Sequence, residues 1–176
     1  MSDLPLESAH LGWLLGTWEG FGLADYPTIT SCRFHQRVQF TNDGQGFLSY
    51  FSRSWQIDDD GNEVRPLATE SGFWRPLPDN GVEVLLSHPT GYSEVYLGTV
   101  VVAGIENARI TRTSLELKTE VVARTETAKP YTAGHRMYGL VEGDLLWTFD
   151  MAAMDHSMSN HVSARLRPAA VNGDPT

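Results

Sequence analysis

The chain has a single cysteine, Cys32, among its 176 residues, so it cannot form an internal disulfide. Scarce cysteine is typical of proteins that work in a reducing compartment. Cys32 lies in a run with strand character, where a small buried hydrophobic residue is favoured over a nucleophile. The N-terminus lacks a basic segment followed by an apolar run, and no apolar stretch has the length of a membrane span. These absences predict a cytoplasmic protein without a membrane anchor.

Positive charge is also scarce, because 13 Lys and Arg face 22 Asp and Glu, for a net charge of −9. Nucleic acids and anionic membranes attract basic surfaces, so neither is expected as a partner. The hydrophobic share of 41% is ordinary for a globular protein, and the length suits one domain. We expect that domain over residues 8–168, followed by a disordered tail over 169–176. The oligomeric state, monomer or homodimer, is left open.

The common catalytic motifs are missing as well. The chain has no G-x-S-x-G, no P-loop, no HExxH and no CxxC. The acidic run 58–62 resembles the start of a calcium loop but lacks its downstream spacing, so a hairpin turn is favoured. We therefore assign no catalytic side chain from the sequence.

Short alternating runs of β-branched and aromatic residues dominate what is present. The candidate strands cover roughly 17–23, 32–40, 46–57, 67–77, 81–87, 92–102, 107–113, 116–124, 134–141, 144–151 and 161–167. Turn residues separate them, including Ala103-Gly104, and no helices intervene, which predicts an antiparallel meander. Closure removes exposed strand edges, so an all-β, up-and-down barrel of about ten strands is favoured over a sandwich. Such a barrel can enclose a ligand cavity.

One short helix is expected over 8–15, before the first strand. Ser8 is the candidate N-cap, and Leu11, Leu14 and Leu15 would form its apolar stripe. A helix in this position could plug one open end of the barrel.

The run Gly16-Thr17-Trp18-Glu19-Gly20-Phe21-Gly22 is the most distinctive in the chain. Because side chains alternate along a strand, Gly16, Trp18, Gly20 and Gly22 share one face. Glycines inside a strand mark a bend, a bulge or the close approach of a ligand or another backbone. The spacing leaves open a barrel corner without a ligand and a wall that makes room for one.

The histidines are the remaining chemical resource. His161 begins the last candidate strand, in which Val162, Ala164 and Leu166 share one face while His161, Ser163 and Arg165 share the other. A histidine at a strand start on a barrel rim suits an axial haem ligand, but from the pattern alone an exposed histidine on the polar face of an edge strand is favoured. His161 and His156 could also hold zinc, although nothing demands it. His88 lies in a turn between two strands and is interpreted as a solvent-exposed loop residue. Lys129 precedes Pro130 in a loop, where it could neutralise a ligand carboxylate or be solvated.

Two terminal motifs together resemble one family. Gly16-Thr17-Trp18-Glu19-Gly20-Phe21-Gly22 fits the GxWxGxG signature of the nitrobindins, and His161-Val162-Ser163-Ala164-Arg165-Leu166-Arg167 is similar to their segment with the proximal histidine. The stretches 128–140 and 145–153 also look like bacterial members. The resemblance implies a ten-stranded barrel like that of fatty-acid-binding proteins. It also implies one haem b per chain, with His161 as axial ligand and Lys129 as a second haem contact.

The activity that the resemblance implies is isomerisation of peroxynitrite to nitrate at ferric haem, with nitric oxide bound by the ferrous form. The iron does this chemistry, so no protein acid or base is required. In this picture Trp18 and its glycines shape the wall near the haem. The alternative is a haem-free carrier of a fatty acid or another small hydrophobic ligand. A carrier would place an arginine inside the barrel to meet a carboxylate, with Arg37, Arg53 and Arg165 as candidates.

Overall fold

Ten antiparallel strands close into a barrel in the computed structural model, which describes residues 4–107 and 109–169. The strands are β1 (Gly16–Ala24), β2 (Cys32–Thr41), β3 (Leu48–Ile57), β4 (Glu63–Pro76), β5 (Gly81–His88), β6 (Tyr92–Glu106), β7 (Arg109–Arg124), β8 (Tyr131–Val141), β9 (Asp144–Ala153) and β10 (Ser159–Pro168). Each strand pairs with its neighbours in sequence, and β1 pairs with β10 to close the barrel. The expected all-β up-and-down barrel is confirmed. Of the expected disordered tail over 169–176, all but Ala169 lies outside the described residues.

The alternation that predicted the strands also sets which side chains enter the barrel. On β2, Phe34, Gln36, Val38 and Phe40 are buried and alternate with residues that are exposed or half-buried. This is the period of two expected for a strand with one face on a core. The same alternation can be followed along each strand of the barrel, and it determines which polar side chains point into the interior.

Two predicted strands, 107–113 and 116–124, are one strand in the structure. Strand β7 runs from Arg109 to Arg124 without a break, and the predicted turn at Ala103-Gly104 lies inside β6. The pairing of β6 with β7 shifts register around Gly104, so the glycine marks a bulge in a long hairpin. A glycine signals a bulge as readily as a turn, which is why the sequence suggested a strand end here.

The expected short N-terminal helix is present as a 3₁₀ helix over Leu6–Leu14, which begins two residues earlier and ends one residue earlier than the predicted range 8–15. Ser8 was the wrong N-cap, because Pro5 holds that position and Ser8 is buried inside the helix, where its amide donates to the carbonyl of Pro5. Leu11 and Leu14 are fully buried in the core, so the helix covers one end of the barrel as expected. Among the described residues, no helix has the length and apolar character needed to span a membrane.

The hydrophobic core fills the end of the barrel beneath this helix. Trp74 lies at its centre with no exposed surface, and its ring meets Phe40 and Tyr138 edge-on at centroid distances of 5.2 and 5.1 Å. Such edge-to-face contacts add to the free energy gained by burial alone. Side chains therefore fill one half of the barrel, and the other half is left for a cavity.

The glycine-rich motif lies on β1 where this strand meets β10. Trp18 belongs to the core, and its indole N–H donates to the carbonyl of Leu14 at 2.7 Å. A Cβ added at Gly20 would overlap the backbone of Arg165, and one at Gly22 would overlap the Phe34 ring. Gly20 and Gly22 therefore allow the two strands that close the barrel to approach each other, which is the close approach of another backbone that glycines inside a strand can mark.

Candidate functional site

A cavity of about 540 Å³ opens at the end of the barrel opposite the helix. This volume lies within the range of ordinary small-molecule and cofactor sites. The walls come from the ends of nine strands and their loops. They comprise Ala24, Ile29, Phe34, Gln36, Ser52, Ser54, Leu67, Ala68, Glu70, His88, Thr90, Tyr92, Glu94, Thr127, Lys129, Pro130, Tyr131, Trp147, Phe149, Met151, Ala153, Met154, His161 and Val162. The cavity therefore brings together His161, Lys129 and His88.

His161 enters the cavity through a β-bulge. Along the pairing of β10 with β9, Asn160 faces Asp150 and Val162 faces Phe149, so His161 is an extra residue between them. A bulge of this kind turns a side chain away from the face that strict alternation would give it. As a result, both His161 and Val162 line the cavity. The expectation that His161 shares a face with Ser163 and Arg165 was wrong.

One nitrogen of the His161 ring is already engaged. Nδ1 lies 3.0 Å from the carbonyl oxygen of Asp25, so it carries the proton and donates it. The ring packs edge-on against Tyr26 and Phe149 at centroid distances of 5.7 and 5.9 Å. Burial lowers the pKa of His161 despite the opposing effect of the Asp25 carbonyl, and the charge of Arg136 lowers it further. A neutral imidazole with a protonated Nδ1 presents the lone pair of Nε2, which is the form that binds a metal.

Lys129 lies at the mouth of the same cavity, in the loop between β7 and β8. Its side chain is exposed, and its carbonyl oxygen accepts a hydrogen bond of 2.9 Å from the Tyr92 hydroxyl. This bond ties the loop to β6 and fixes the backbone from which the lysine extends. An exposed ammonium at a cavity mouth can pair with a carboxylate at little desolvation cost.

His88 is the last residue of β5 and is mostly buried, with 15% of its side chain exposed, so its interpretation as a solvent-exposed loop residue was wrong. Its Nε2 donates to Oε2 of Glu94 at 2.6 Å. Glu94 has 1% of its side chain exposed and also accepts hydrogen bonds from the hydroxyls of Tyr96 and Tyr131. His88 is therefore fixed in place as part of the cavity wall.

A buried arginine lies beneath the cavity. Arg136 has no exposed surface, and its guanidinium donates to both oxygens of Glu70, at 2.8 and 3.2 Å. It also lies 3.8 Å from Glu94 and 4.6 Å from the centre of the Phe149 ring. Burial would lower the pKa of Arg136, but the charge of Glu70 and the smaller effects of its other neighbours together raise this pKa well above its ordinary value. The guanidinium therefore stays charged and is matched by two carboxylates.

The same charges keep Glu94 ionised. Burial would raise its pKa, but the hydrogen bond from His88 and the charge of Arg136 outweigh burial and lower the pKa to about 2. The pKa of Glu70 is also lowered, against burial, by Arg136. Burial and the neighbouring Glu94 raise the pKa values of the Tyr96 and Tyr131 hydroxyls, which stay protonated as donors. The cavity floor is thus a fully hydrogen-bonded polar layer.

Sequence reasoning missed this layer. Arg136 stands between Gly134 and Tyr138 on β8, and Tyr138 and Leu140 are both buried, so the inward phase of the strand includes Arg136. If the inward face of β8 is assigned from its large apolar residues, Arg136 falls on that face. Finding its partners also needs the barrel order, because Glu70 is 66 residues away in sequence.

Several other residues considered in the sequence analysis lie away from the cavity or are not arranged as a binding site. Arg37, Arg53 and Arg165 are exposed on the outer face of the barrel, so none is an interior partner for a carboxylate. Trp18 and the motif glycines are not among the cavity residues; Gly22 reaches the cavity only through its contact with Phe34. His156 is exposed, and no group of three or more His, Cys, Asp or Glu suited to a metal occurs in residues 4–107 and 109–169. Cys32 is half-buried at the start of β2.

Comparison with known proteins agrees with this architecture. A family model described as a THAP4-like, heme-binding beta-barrel domain matches residues 7–167. A ferric nitrobindin-like protein of Kineococcus radiotolerans is 45% identical, over 94% of this chain and 95% of its own. A peroxynitrite isomerase of Nocardioides sp. is 47% identical, over 93% of this chain and 94% of its own. Rv2717c from M. tuberculosis matches in structure with a TM-score of 0.86 at 32% identity, covering 95% of this chain and 99% of that one.

The family match covers nearly all of the described chain, and the relatives match over nearly their full length. The resemblance to the nitrobindins, drawn from the two terminal motifs, is confirmed, and haem is the cofactor named for the family. The chain belongs to the family of THAP4-like, heme-binding β-barrel domains.

Proposed function

We propose that the chain binds one haem b in the barrel cavity through Nε2 of His161, isomerises peroxynitrite to nitrate in the ferric state, and binds nitric oxide in the ferrous state. One observation carries the proposal: the Asp25 carbonyl holds the proton on Nδ1 of His161 and leaves Nε2 free in the cavity. Relatives with the names ferric nitrobindin-like protein and peroxynitrite isomerase support the activity.

The cavity fits a haem in size, ligand and charge. Its volume of about 540 Å³ suits a large flat cofactor, and its side walls include Phe34, Phe149 and Met151. Lys129 at the mouth would pair with a propionate at the edge of the group. Apolar side walls, together with the neutral imidazole of His161, would suit a haem held by one histidine.

Bound haem supplies the iron at which peroxynitrite is converted to nitrate. The role of the chain in this reaction is to hold the haem and to limit access to it. His161 would hold the iron through Nε2, and its hydrogen bond to the Asp25 carbonyl fixes the orientation of the ring. Tyr26 supports both the ring and the end of β9, since its hydroxyl bonds the backbone of Ala153. No side chain of the barrel is assigned a catalytic acid or base role.

A fatty-acid carrier receives no support from the barrel interior. The interior arginine, Arg136, is already matched by Glu70 and Glu94. A fatty-acid carboxylate entering this layer would add a third negative charge to one guanidinium, which is costly in a buried setting.

Titration of hemin into the purified protein, followed by the Soret band, tests the proposal. We expect a sharpened, shifted band with a 1:1 end point in the parent protein and in His156→Ala, and its loss or marked weakening in His161→Ala. His156 is a matched control because it lies five residues away, exposed, beside the same Tyr26 ring. The nitrate yield from peroxynitrite should follow the ferric complex. Haem binding that is indifferent to His161 would contradict the ligand assignment.

A further inference from the structure

The wall opposite His161 carries a second imidazole. Around the closed barrel, β10 and β5 are separated by four strands on either side, so they are diametrically opposed. His161 lies near the start of β10 and His88 ends β5, and both line the cavity. A flat group held by His161 would therefore turn its open face toward the wall that bears His88.

The structure fixes how His88 is presented. Glu94 is ionised, so it can only accept, and Nε2 of His88 must carry the proton in their 2.6 Å hydrogen bond. Nδ1 makes no hydrogen bond or ion pair with the residues that the structure describes. The ring also packs edge-on against Tyr92 at a centroid distance of 6.3 Å. One nitrogen is thus anchored, and the other is free for a ligand.

Glu94 is itself held on every side. Its Oε1 accepts from the hydroxyls of Tyr96 and Tyr131, and Arg136 lies 3.8 Å from its Oε2. A carboxylate with these partners cannot swing away from His88 without leaving buried polar groups unsatisfied. The imidazole is therefore preorganised by the polar layer beneath the cavity.

We propose that Nδ1 of His88 forms a hydrogen-bonding subsite for the ligand on the open face of the haem, and that this subsite favours small anionic ligands over neutral apolar diatomic ones. The inference rests on the proposed function, since it needs the haem on His161. When Nδ1 carries a proton in addition to the one on Nε2, the ring donates to an anion, whereas a neutral diatomic ligand gains little from such a donor. Peroxynitrite belongs to the favoured class, and nitric oxide does not.

Fluoride binding to the ferric haem complex at pH 5.5 tests this subsite, because fluoride is a small anion whose binding depends on a hydrogen-bond donor. A hydrogen bond to a charged group is worth about 1.5–3 kcal/mol, so His88→Leu should lower the affinity for fluoride by about tenfold or more. His88→Gln retains an amide donor and should restore part of the affinity. Nitric oxide affinity of the ferrous complex should change far less.

His35→Leu is the matched control. His35 also sits among carboxylates, with Glu63 at 2.8 Å and Glu19 at 3.0 Å, but on the outer face of the barrel. The His35→Leu substitution should leave the affinity for fluoride unchanged. If His88→Leu fails to fold, Glu94→Gln can replace it. This variant removes the charged partner of His88 and should also lower the affinity for fluoride.

The outcomes separate the two proposals. Fluoride affinity that is equal in the parent, His88→Leu and His88→Gln complexes overturns the subsite and leaves haem binding intact. Haem that stays bound in His161→Ala and is lost in His88→Leu would make His88 the axial ligand and overturn both. A loss confined to fluoride, with the Soret band of hemin binding preserved, supports the subsite.

Discussion

Asp25 and His161 hold each other through two hydrogen bonds: Nδ1 of His161 donates to the Asp25 carbonyl at 3.0 Å, and the Asp25 amide donates to the His161 carbonyl at 2.8 Å. The first bond sets which ring nitrogen is free, and the second fixes the bulged backbone that aims the ring. Because both use the main chain of Asp25, substitution of its side chain leaves them in place. The candidate haem ligand is therefore positioned by the closure of β1 on β10.

Tyr26→Phe should weaken both the cavity end of the barrel and hemin binding. The hydroxyl accepts from the Ala153 amide at 3.0 Å and donates to the Ala153 carbonyl at 3.1 Å, and the ring packs on His161. Its removal leaves a buried backbone amide unpaired, at a cost of about 1–3 kcal/mol. Urea unfolding and hemin titration measure the two effects. Unchanged stability would show that the hydroxyl does not tie β9 to the loop after β1.

Arg136→Met should destabilise the protein strongly. The change leaves Glu70 and Glu94 buried without their cation, and breaking a buried ion pair costs about 3–5 kcal/mol. Chemical denaturation of the haem-free protein gives the free energy of unfolding. Arg136→Met combined with Glu70→Gln should recover part of the loss, because one uncompensated charge is removed. A double variant no more stable than the single one would mean that Glu70 does not contribute to the penalty.

Glu94→Gln should flatten the acid side of the stability profile. The Glu94 pKa is lowered in the folded protein from its ordinary 4.5 to about 2, so the folded state binds its proton less readily than the unfolded state. The resulting stabilisation, about 3 kcal/mol, is complete above pH 4.5 and is lost as the pH falls toward 2. Unfolding free energies of the parent and Glu94→Gln should converge over this window. Parallel curves would contradict the ionised, paired state of Glu94.

Gly22→Ala should cost about 1–3 kcal/mol, since a Cβ there meets the Phe34 ring and the β10 backbone. Phe34 lines the cavity, so the same substitution should weaken hemin binding. Gly139→Ala is the matched control, because it also lies within a strand and its nearest neighbour would be an ordinary 3.6 Å away. We expect Gly139→Ala to be close to neutral. Equal effects at the two glycines would show that strand propensity, and not close approach, explains the loss.

The barrel could be predicted from the sequence because its strands alternate and are separated by turns, and His161 could be placed near its rim. The bulge could not, since one extra residue at position 161 leaves no mark in composition, yet it decides that His161 faces inward. Arg136 was overlooked because a lone arginine in a strand is ordinarily exposed. His88 was misassigned because its partner, Glu94, lies across a hairpin and is buried by strands distant in sequence. Alternation predicts the inward face, whereas pairing between distant strands determines the chemistry there.

Resonance Raman spectroscopy of the ferrous haem complex tests the central claim most directly. We expect an iron–imidazole stretching band that shifts when the protein's histidines are labelled with ¹⁵N. This band should persist in His88→Leu and His156→Ala and be absent from His161→Ala. A band that survives the loss of His161, or one that disappears with His88, would contradict the assignment of His161 as the residue that holds the iron.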